Sequence, residues 1–145
     1  MKVSTKGRYA LRMLLDLAEH KDDGFISLKE IAERQNISKQ YLEQIVTLLN
    51  TSNFLRANRG KQGGYQLAKE PPNITVAQVL RITEGSLAPV ACLEDEANQC
   101  ERAGFCKTLS MWKGLYDVVA GYLESITLQD LLEQHREQIT DNYVI

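Results

Sequence analysis

At 145 residues, 43% hydrophobic and 25% charged, the chain has the make-up of one ordinary globular domain with room for an extension. No stretch approaches the roughly 18 consecutive apolar residues of a membrane-spanning helix, and the opening Met1-Lys2-Val3-Ser4-Thr5-Lys6-Gly7 lacks the apolar core of a secretory leader. Three prolines, no low-complexity tract and an odd three cysteines exclude a disordered chain and a closed disulfide framework. A reducing, cytoplasmic compartment is the expectation, with no membrane partner.

The net charge of −2 hides an asymmetry. Residues 1–70 hold 12 Lys and Arg against 8 Asp and Glu, whereas residues 71–145 hold 5 against 11. A first half at +4 joined to a second at −6 suggests that the first half meets a polyanion, of which nucleic acid is the commonest.

The first predicted helix runs from about Lys6 to His20, with Leu11, Leu14, Leu15 and Ala18 at the spacing of one apolar face. Lys21-Asp22-Asp23-Gly24 ends it, and Phe25-Ile26 is read as a short strand. Ser27 with Glu30 has the spacing of a capping box and opens a short helix to about Gln35. Asn36-Ile37 turns the chain, and Ser38 caps a third helix with the stripe Leu42, Ile45, Val46 and Leu49. Helix, tight turn and helix make a helix-turn-helix. The runs Phe54-Leu55-Arg56-Ala57 and Tyr65-Gln66-Leu67 flank a basic, Gly-rich loop and predict a β-hairpin, which in that position is a wing. Pro71-Pro72 sets the expected boundary between a DNA-binding domain (1–70) and an effector region (71–145).

In the second region, Thr75 with Gln78 caps a helix that should stop near Gly85. Residues 86–106 lack helical periodicity and carry all three cysteines. A long helix over 107–126 presents Leu109, Trp112, Tyr116, Val119, Leu123 and Ile126 in alternating steps of three and four, the pattern of a coiled-coil seam, and predicts a homodimer. Thr127 with Asp130 opens a last short helix to about His135, leaving the final ten residues loose. The expected fold class is therefore mainly α: a winged helix-turn-helix with a dimerisation helix and a cysteine-bearing loop.

Two constellations carry chemistry. With the apolar stripe of the third helix turned inward, Ser38, Lys39, Gln40, Tyr41, Glu43, Gln44 and Thr47 face out, where a recognition helix meets base edges in the major groove of double-stranded DNA. Arg59 beside Gly60 at the wing tip suits a narrow minor groove. Lys61, Lys6 and Arg8 suit phosphates.

The second set is Cys92, Cys100 and Cys106, spaced C-x7-C-x5-C, with none in the remaining residues. Thiolates are soft ligands for iron–sulfur clusters, zinc or copper(I), and the missing CxxC pair weighs against zinc. A fourth ligand is not evident: His20 and His135 lie far away in sequence, near predicted helix ends. No nucleophile–base pair appears, and Gly60-Lys61-Gln62-Gly63-Gly64 lacks the order of a phosphate-binding loop, so no enzymatic activity is expected.

Ser4-Thr5-Lys6-Gly7-Arg8-Tyr9-Ala10, Ser38 through Tyr41-Leu42-Glu43-Gln44, and Arg59-Gly60 with Gly63-Gly64-Tyr65 resemble the winged-helix repressor family that includes IscR, NsrR and CymR. The cysteine triad followed by Leu109 to Trp112, and Ile126-Thr127-Leu128, is similar to its iron–sulfur members. The resemblance implies a homodimeric repressor with one winged helix-turn-helix per subunit. It also implies a two-iron or four-iron cluster that reports iron supply, redox state or nitric oxide. Leu109 stands where IscR-like members have a histidine ligand, and Arg8 where NsrR-like members have a carboxylate, while CymR-like members lack the triad. The same fold without a cluster, acting as a thiol switch or under a partner protein, is the alternative; an iron–sulfur carrier or redox protein is another.

Overall fold

The computed structural model describes residues 2–143. Six α-helices and one two-stranded sheet follow in the order α1 (Thr5–Glu19), α2 (Leu28–Gln35), α3 (Lys39–Leu49), β1 (Leu55–Asn58), β2 (Gly64–Leu67), α4 (Val76–Glu84), α5 (Leu109–Ser125) and α6 (Leu128–Tyr143). The helix starts are set by local chemistry. Ser4, Ser27 and Ser38 accept the N–H of the residue three further on, each worth about 1 kcal/mol. Thr75 with Gln78, and Thr127 with Asp130, make reciprocal boxes. At Ser27 only the forward half forms, from Glu30 N to Ser27 Oγ. Asn36, left-handed at φ 54°, ends α2 and turns the chain into α3, with Ile37 buried behind it.

The wing is the antiparallel pair β1–β2, in the register Leu55 to Leu67 and Asn58 to Gly64. Its root is fastened to the body by Ile26, whose N–H and carbonyl both bond Tyr65 at 2.8 Å. Gly64 permits this approach: a Cβ there would stand 2.4 Å from the Ile26 carbonyl oxygen, and backbone on both sides leaves nothing to yield.

The main core takes Met13, Leu14 and Leu17 from α1, Ile31 from α2, and Leu42, Ile45 and Leu49 from α3. Ile74, Val79 and Leu128, from beyond the proline pair, lie in the same cluster, so the apolar packing is continuous across that point. A second cluster, Val76, Ala77, Leu80 and Leu87, receives Tyr116 and Leu123 from the helix that follows the cysteine loop and Ile126 from just beyond its end.

Among the described residues one charge lies inside. Asp16 is 3% exposed and accepts hydrogen bonds from Arg34 Nε (3.0 Å), Arg34 Nη2 (2.7 Å) and Gln35 Nε2 (2.9 Å). Burial pushes the carboxyl up; the bonds from Arg34 and Gln35, with Arg34's charge, overcome that and hold it below the usual carboxylate range. Arg12 donates to the side chain and the backbone carbonyl of Gln35, at the end of α2. The helix-turn-helix is thus pinned to α1 by polar contacts as well as by packing.

Several expectations change. Helix α1 begins at Thr5, and the segment Phe25-Ile26 supplies a single bridge rather than a strand. The last helix does not stop near His135 but continues to Tyr143, because Arg136-Glu137-Gln138 are good helix formers and no Gly or Pro interrupts them. Of the final ten residues, Val144 and Ile145 lie outside the described residues.

Candidate nucleic-acid interface

Helix α3 divides as its sequence implies. Leu42, Ile45, Val46 and Leu49 are buried, and Lys39, Gln40, Glu43, Gln44 and Thr47 are exposed. Tyr41 is the correction: it is half-buried against the core and meets Tyr9 of α1 edge-on, ring centroids 5.5 Å apart. Its hydrophobic ring is drawn to the α1–α3 seam, where it joins the two helices. Ser38 is exposed, but its Oγ is engaged by the Tyr41 N–H at 3.1 Å. Thr47 spends its hydroxyl proton on the Glu43 carbonyl. Free amide and carboxylate groups therefore remain at Gln40, Glu43 and Gln44, the donor and acceptor types that can address base edges.

The wing tip, Arg59-Gly60-Lys61, is exposed, its turn closed by Gly63 N–H to Gly60 O at 2.9 Å. Between the wing and the starts of α2 and α3 runs a concave surface of about 500 Å³, to which Lys29, Lys39 and Arg59 contribute three cations and Asn50 and Asn58 two amides. Lys29 was not singled out from the sequence. Its one signal was a basic residue two places after a helix cap, which is legible only once the wing is known to fold beside it. The Tyr9–Tyr41 contact brings the first turns of α1 close to the start of α3. Arg8 there is exposed and Lys6 half-buried, with Arg8 Nη2 donating to Thr5 Oγ1 at 3.0 Å.

The three cysteines are free and lie on the connection between α4 and α5, Cys100 exposed and Cys92 and Cys106 partly so. Local turns shape the loop: Ala103 N–H to Cys100 O, Phe105 N–H to Arg102 O, and Cys100 N–H to Asn98 Oδ1. Cys106 stands just before α5, with its Sγ 3.4 Å from Thr108 Oγ1. That hydroxyl, and then the backbone N–H groups at the start of the helix, pull the thiol below its usual value. Among the described residues no three of His, Cys, Asp and Glu are gathered closely enough to hold a metal ion. The donor chemistry nonetheless fits a cluster: three free soft ligands on one open segment. His20 is held by the Asp16 carbonyl at 2.8 Å, and His135 sits on α6.

Helix α5 carries two apolar stripes, and the structure distinguishes them. Leu109, Trp112, Tyr116, Val119, Leu123 and Ile126, expected to form a dimer seam, are half-buried, and Tyr116, Leu123 and Ile126 pack on the chain's own α4. The open stripe is the neighbouring one, with Met111, Val118 and Tyr122 at 51, 70 and 65% exposed. With Leu115 between Met111 and Val118, this stripe too runs in steps of three and four, so spacing alone could not choose between them. No helix among the described residues is long and apolar enough to cross a membrane.

A helix-turn-helix whose second helix presents free polar side chains, followed by a basic hairpin, defines a winged helix-turn-helix transcription regulator. The family model described as Rrf2, an iron-dependent transcriptional regulator, matches residues 3–134, and the chain belongs to that family. It is similar to the HTH-type transcriptional regulator CymR of Bacillus subtilis, 41% identical over 90% of this chain and 89% of that one. It is also similar to the HTH-type transcriptional regulator IscR of Photorhabdus laumondii, 37% identical over 91% of this chain and 79% of that one. Among solved structures, CymR of B. subtilis, described as a global cysteine regulator, superposes with a TM-score of 0.76 at 40% identity, covering 92% of this chain and 98% of that one. T. potens IscR gives 0.75 at 38%, covering 95% and 90%.

Proposed function

We propose that this Rrf2-family regulator is a cytoplasmic, homodimeric repressor whose affinity for a double-stranded DNA operator is set by an iron–sulfur cluster at Cys92, Cys100 and Cys106. The observation that carries the reading is the placement of the cysteines. A structural cysteine is a small apolar residue and lies in the core; here all three lie outside both cores, on an open loop that leads into α5. The iron dependence in the family description and the similarity to IscR support it.

On this reading Gln40, Glu43 and Gln44 address base edges in the major groove, while Arg59, on a hairpin thin enough for a minor groove, reads its width. Lys39, Lys61, Lys6 and Arg8 hold phosphates and fix the register. The exposed stripe Met111–Val118–Tyr122 pairs with its copy, so that two recognition helices address two half-sites about one DNA turn apart. When bound, the cluster supplies a centre sensitive to iron supply, oxidants and nitric oxide. The protein's part would be to anchor it through three thiolates from one segment; among the described residues no histidine is gathered with the cysteines, which would leave a weak, displaceable ligand to complete the set. Anaerobic purification with iron and sulfide analysis tests this: a coloured protein with stoichiometric iron and sulfide supports it, and a colourless, metal-free protein under those conditions overturns it.

A second reading keeps the fold and drops the cluster, the thiols acting as a switch. It is favoured by the open arrangement of the three cysteines and by the similarity to CymR. Iron-free protein whose DNA binding follows thiol oxidation would establish it.

A further inference from the structure

The start of α1 and the end of α4 meet at one carboxylate. Glu84 is the last residue of α4, and its Oε1 accepts hydrogen bonds from both the Ser4 backbone N–H at 2.8 Å and the Ser4 hydroxyl at 2.7 Å. The same hydroxyl oxygen caps α1 by accepting the Gly7 N–H at 3.1 Å. Helix α1 has no acidic residue in its first turn, where a negative charge is favoured, and it carries Lys6 and Arg8 near that end. Glu84 therefore supplies from a second helix the anion that the first lacks. The approach is close: a Cβ on Gly7 would stand 2.5 Å from Glu84 Oε1 and 3.1 Å from Thr83 Oγ1, so a larger residue there would push the carboxylate from its place.

Beyond Glu84 the chain enters the cysteine loop directly. Ser86 to Pro89 border a cavity of about 180 Å³ together with Val3, Val119 and Leu123. This stretch is thus not closely packed on that side and has room to shift.

We propose that Glu84 is a positioning residue that carries the state of the cysteine loop to the first turn of α1, within one chain. The inference rests on the reading that the loop sets DNA affinity. Both bonds to Ser4 are charge-assisted and short, and both depend on where residues 85–89 hold the end of α4. A loop movement that withdraws the carboxylate by an ångström breaks the pair, leaves the Ser4 cap unanchored and frays the turn that places Lys6 and Arg8. Coupling is reciprocal: DNA that holds Lys6 and Arg8 tightens the contact and steadies the loop, so operator DNA slows alkylation of Cys92, Cys100 and Cys106.

The test is amide hydrogen exchange on the full chain, followed over residues 5–9 by mass spectrometry. Three states are compared: cysteines free, cysteines blocked with iodoacetamide, and protein reconstituted anaerobically with iron and sulfide. In the wild type, exchange over residues 5–9 differs at least about threefold between the free state and either other state. In Glu84→Ala it is about tenfold faster than wild type and the same in all three. Glu84→Gln, whose amide oxygen can still accept both bonds, keeps most of the wild-type difference, which separates the contact from a general loss of stability. No difference in the wild type, or an undiminished difference in Glu84→Ala, overturns the proposal. Operator affinity measured in parallel separates the two claims. If it does not respond to the loop's state, the control by cysteines fails whatever the exchange shows. If it responds equally in wild type and Glu84→Ala, that control stands and the Glu84 route fails.

Discussion

Replacing Arg34 with alanine tests how the helix-turn-helix is held. The substitution removes two of the three side-chain hydrogen bonds to Asp16, whose side chain is 2% exposed, and leaves a carboxylate sealed in the protein with Gln35 as its remaining side-chain donor. Breaking one side of a buried pair costs about 3–5 kcal/mol. Arg34 keeps about a third of its own exposure (35%), so the lower end applies, about 3 kcal/mol. For a chain of this size that lowers the melting temperature by about 6–12 °C.

The pH dependence has a definite sign. In the wild type the Asp16 carboxyl is held below its unfolded value. Its contribution is therefore complete above about pH 4 and is lost as pH falls through the lower folded value. In Arg34→Ala the largest of the bonds that oppose burial is gone while Gln35's bond and His20's charge remain, so the carboxyl should sit above its wild-type value. The variant should therefore lose less stability than the wild type between about pH 5 and pH 3, where the wild type gives up the Asp16 contribution. Urea unfolding followed by circular dichroism at both pH values, at fixed protein concentration because a dimer's stability depends on it, reads the difference. A variant within about 1 kcal/mol of wild type, with an unchanged pH profile, would refute the reasoning. The double variant Asp16→Leu with Arg34→Met should recover much of the loss, since apolar replacements leave no unpaired charge.

Three further outcomes follow from the same structure. Val118→Asp places a charge in the middle of the open stripe of α5 and should give monomers in sedimentation, with operator affinity falling because half-sites are no longer read together. Gln44→Ala should relax discrimination at particular base pairs by about 1–3 kcal/mol if its contact is bidentate, whereas Lys6→Ala should weaken all sequences alike and flatten the salt dependence; competition binding on specific and random DNA tells these apart. Gly64→Ala drives a Cβ into the Ile26 carbonyl and should loosen the wing root, seen as faster proteolysis within residues 55–67 and weaker DNA binding, with the α-helical signal retained.

What could be seen in the sequence was what is decided locally. The caps at Ser27, Ser38, Thr75 and Thr127 and the stripe of α3 each depend on residues within a turn or two, and they fixed the helix-turn-helix and the helices after it. The wing was legible from its Gly-rich loop between two short alternating runs. Contacts between distant segments were not. Asp16 is one polar letter among leucines, and nothing near it names Arg34 as its partner. The same holds for Glu84 and Ser4, 80 positions apart. On α5 the difficulty was degeneracy, since two stripes share one spacing and only the position of α4 decides which is covered. Tyr41 lies off the stripe Leu42, Ile45, Val46 and Leu49, which alone turns it outward, and only the position of Tyr9 on a distant helix draws its ring inward.

The central claim is that the three loop cysteines set operator affinity through a bound iron–sulfur cluster. The most direct measurement is anaerobic fluorescence anisotropy on one operator fragment, with wild-type protein before and after reconstitution with iron and sulfide, and with the Cys92→Ala, Cys100→Ala and Cys106→Ala variants treated identically. The account predicts that the wild-type affinity changes at least about tenfold on reconstitution, about 1.4 kcal/mol of coupling, and that each cysteine variant binds equally before and after. An unchanged wild-type affinity, or a change that survives in all three variants, would contradict it.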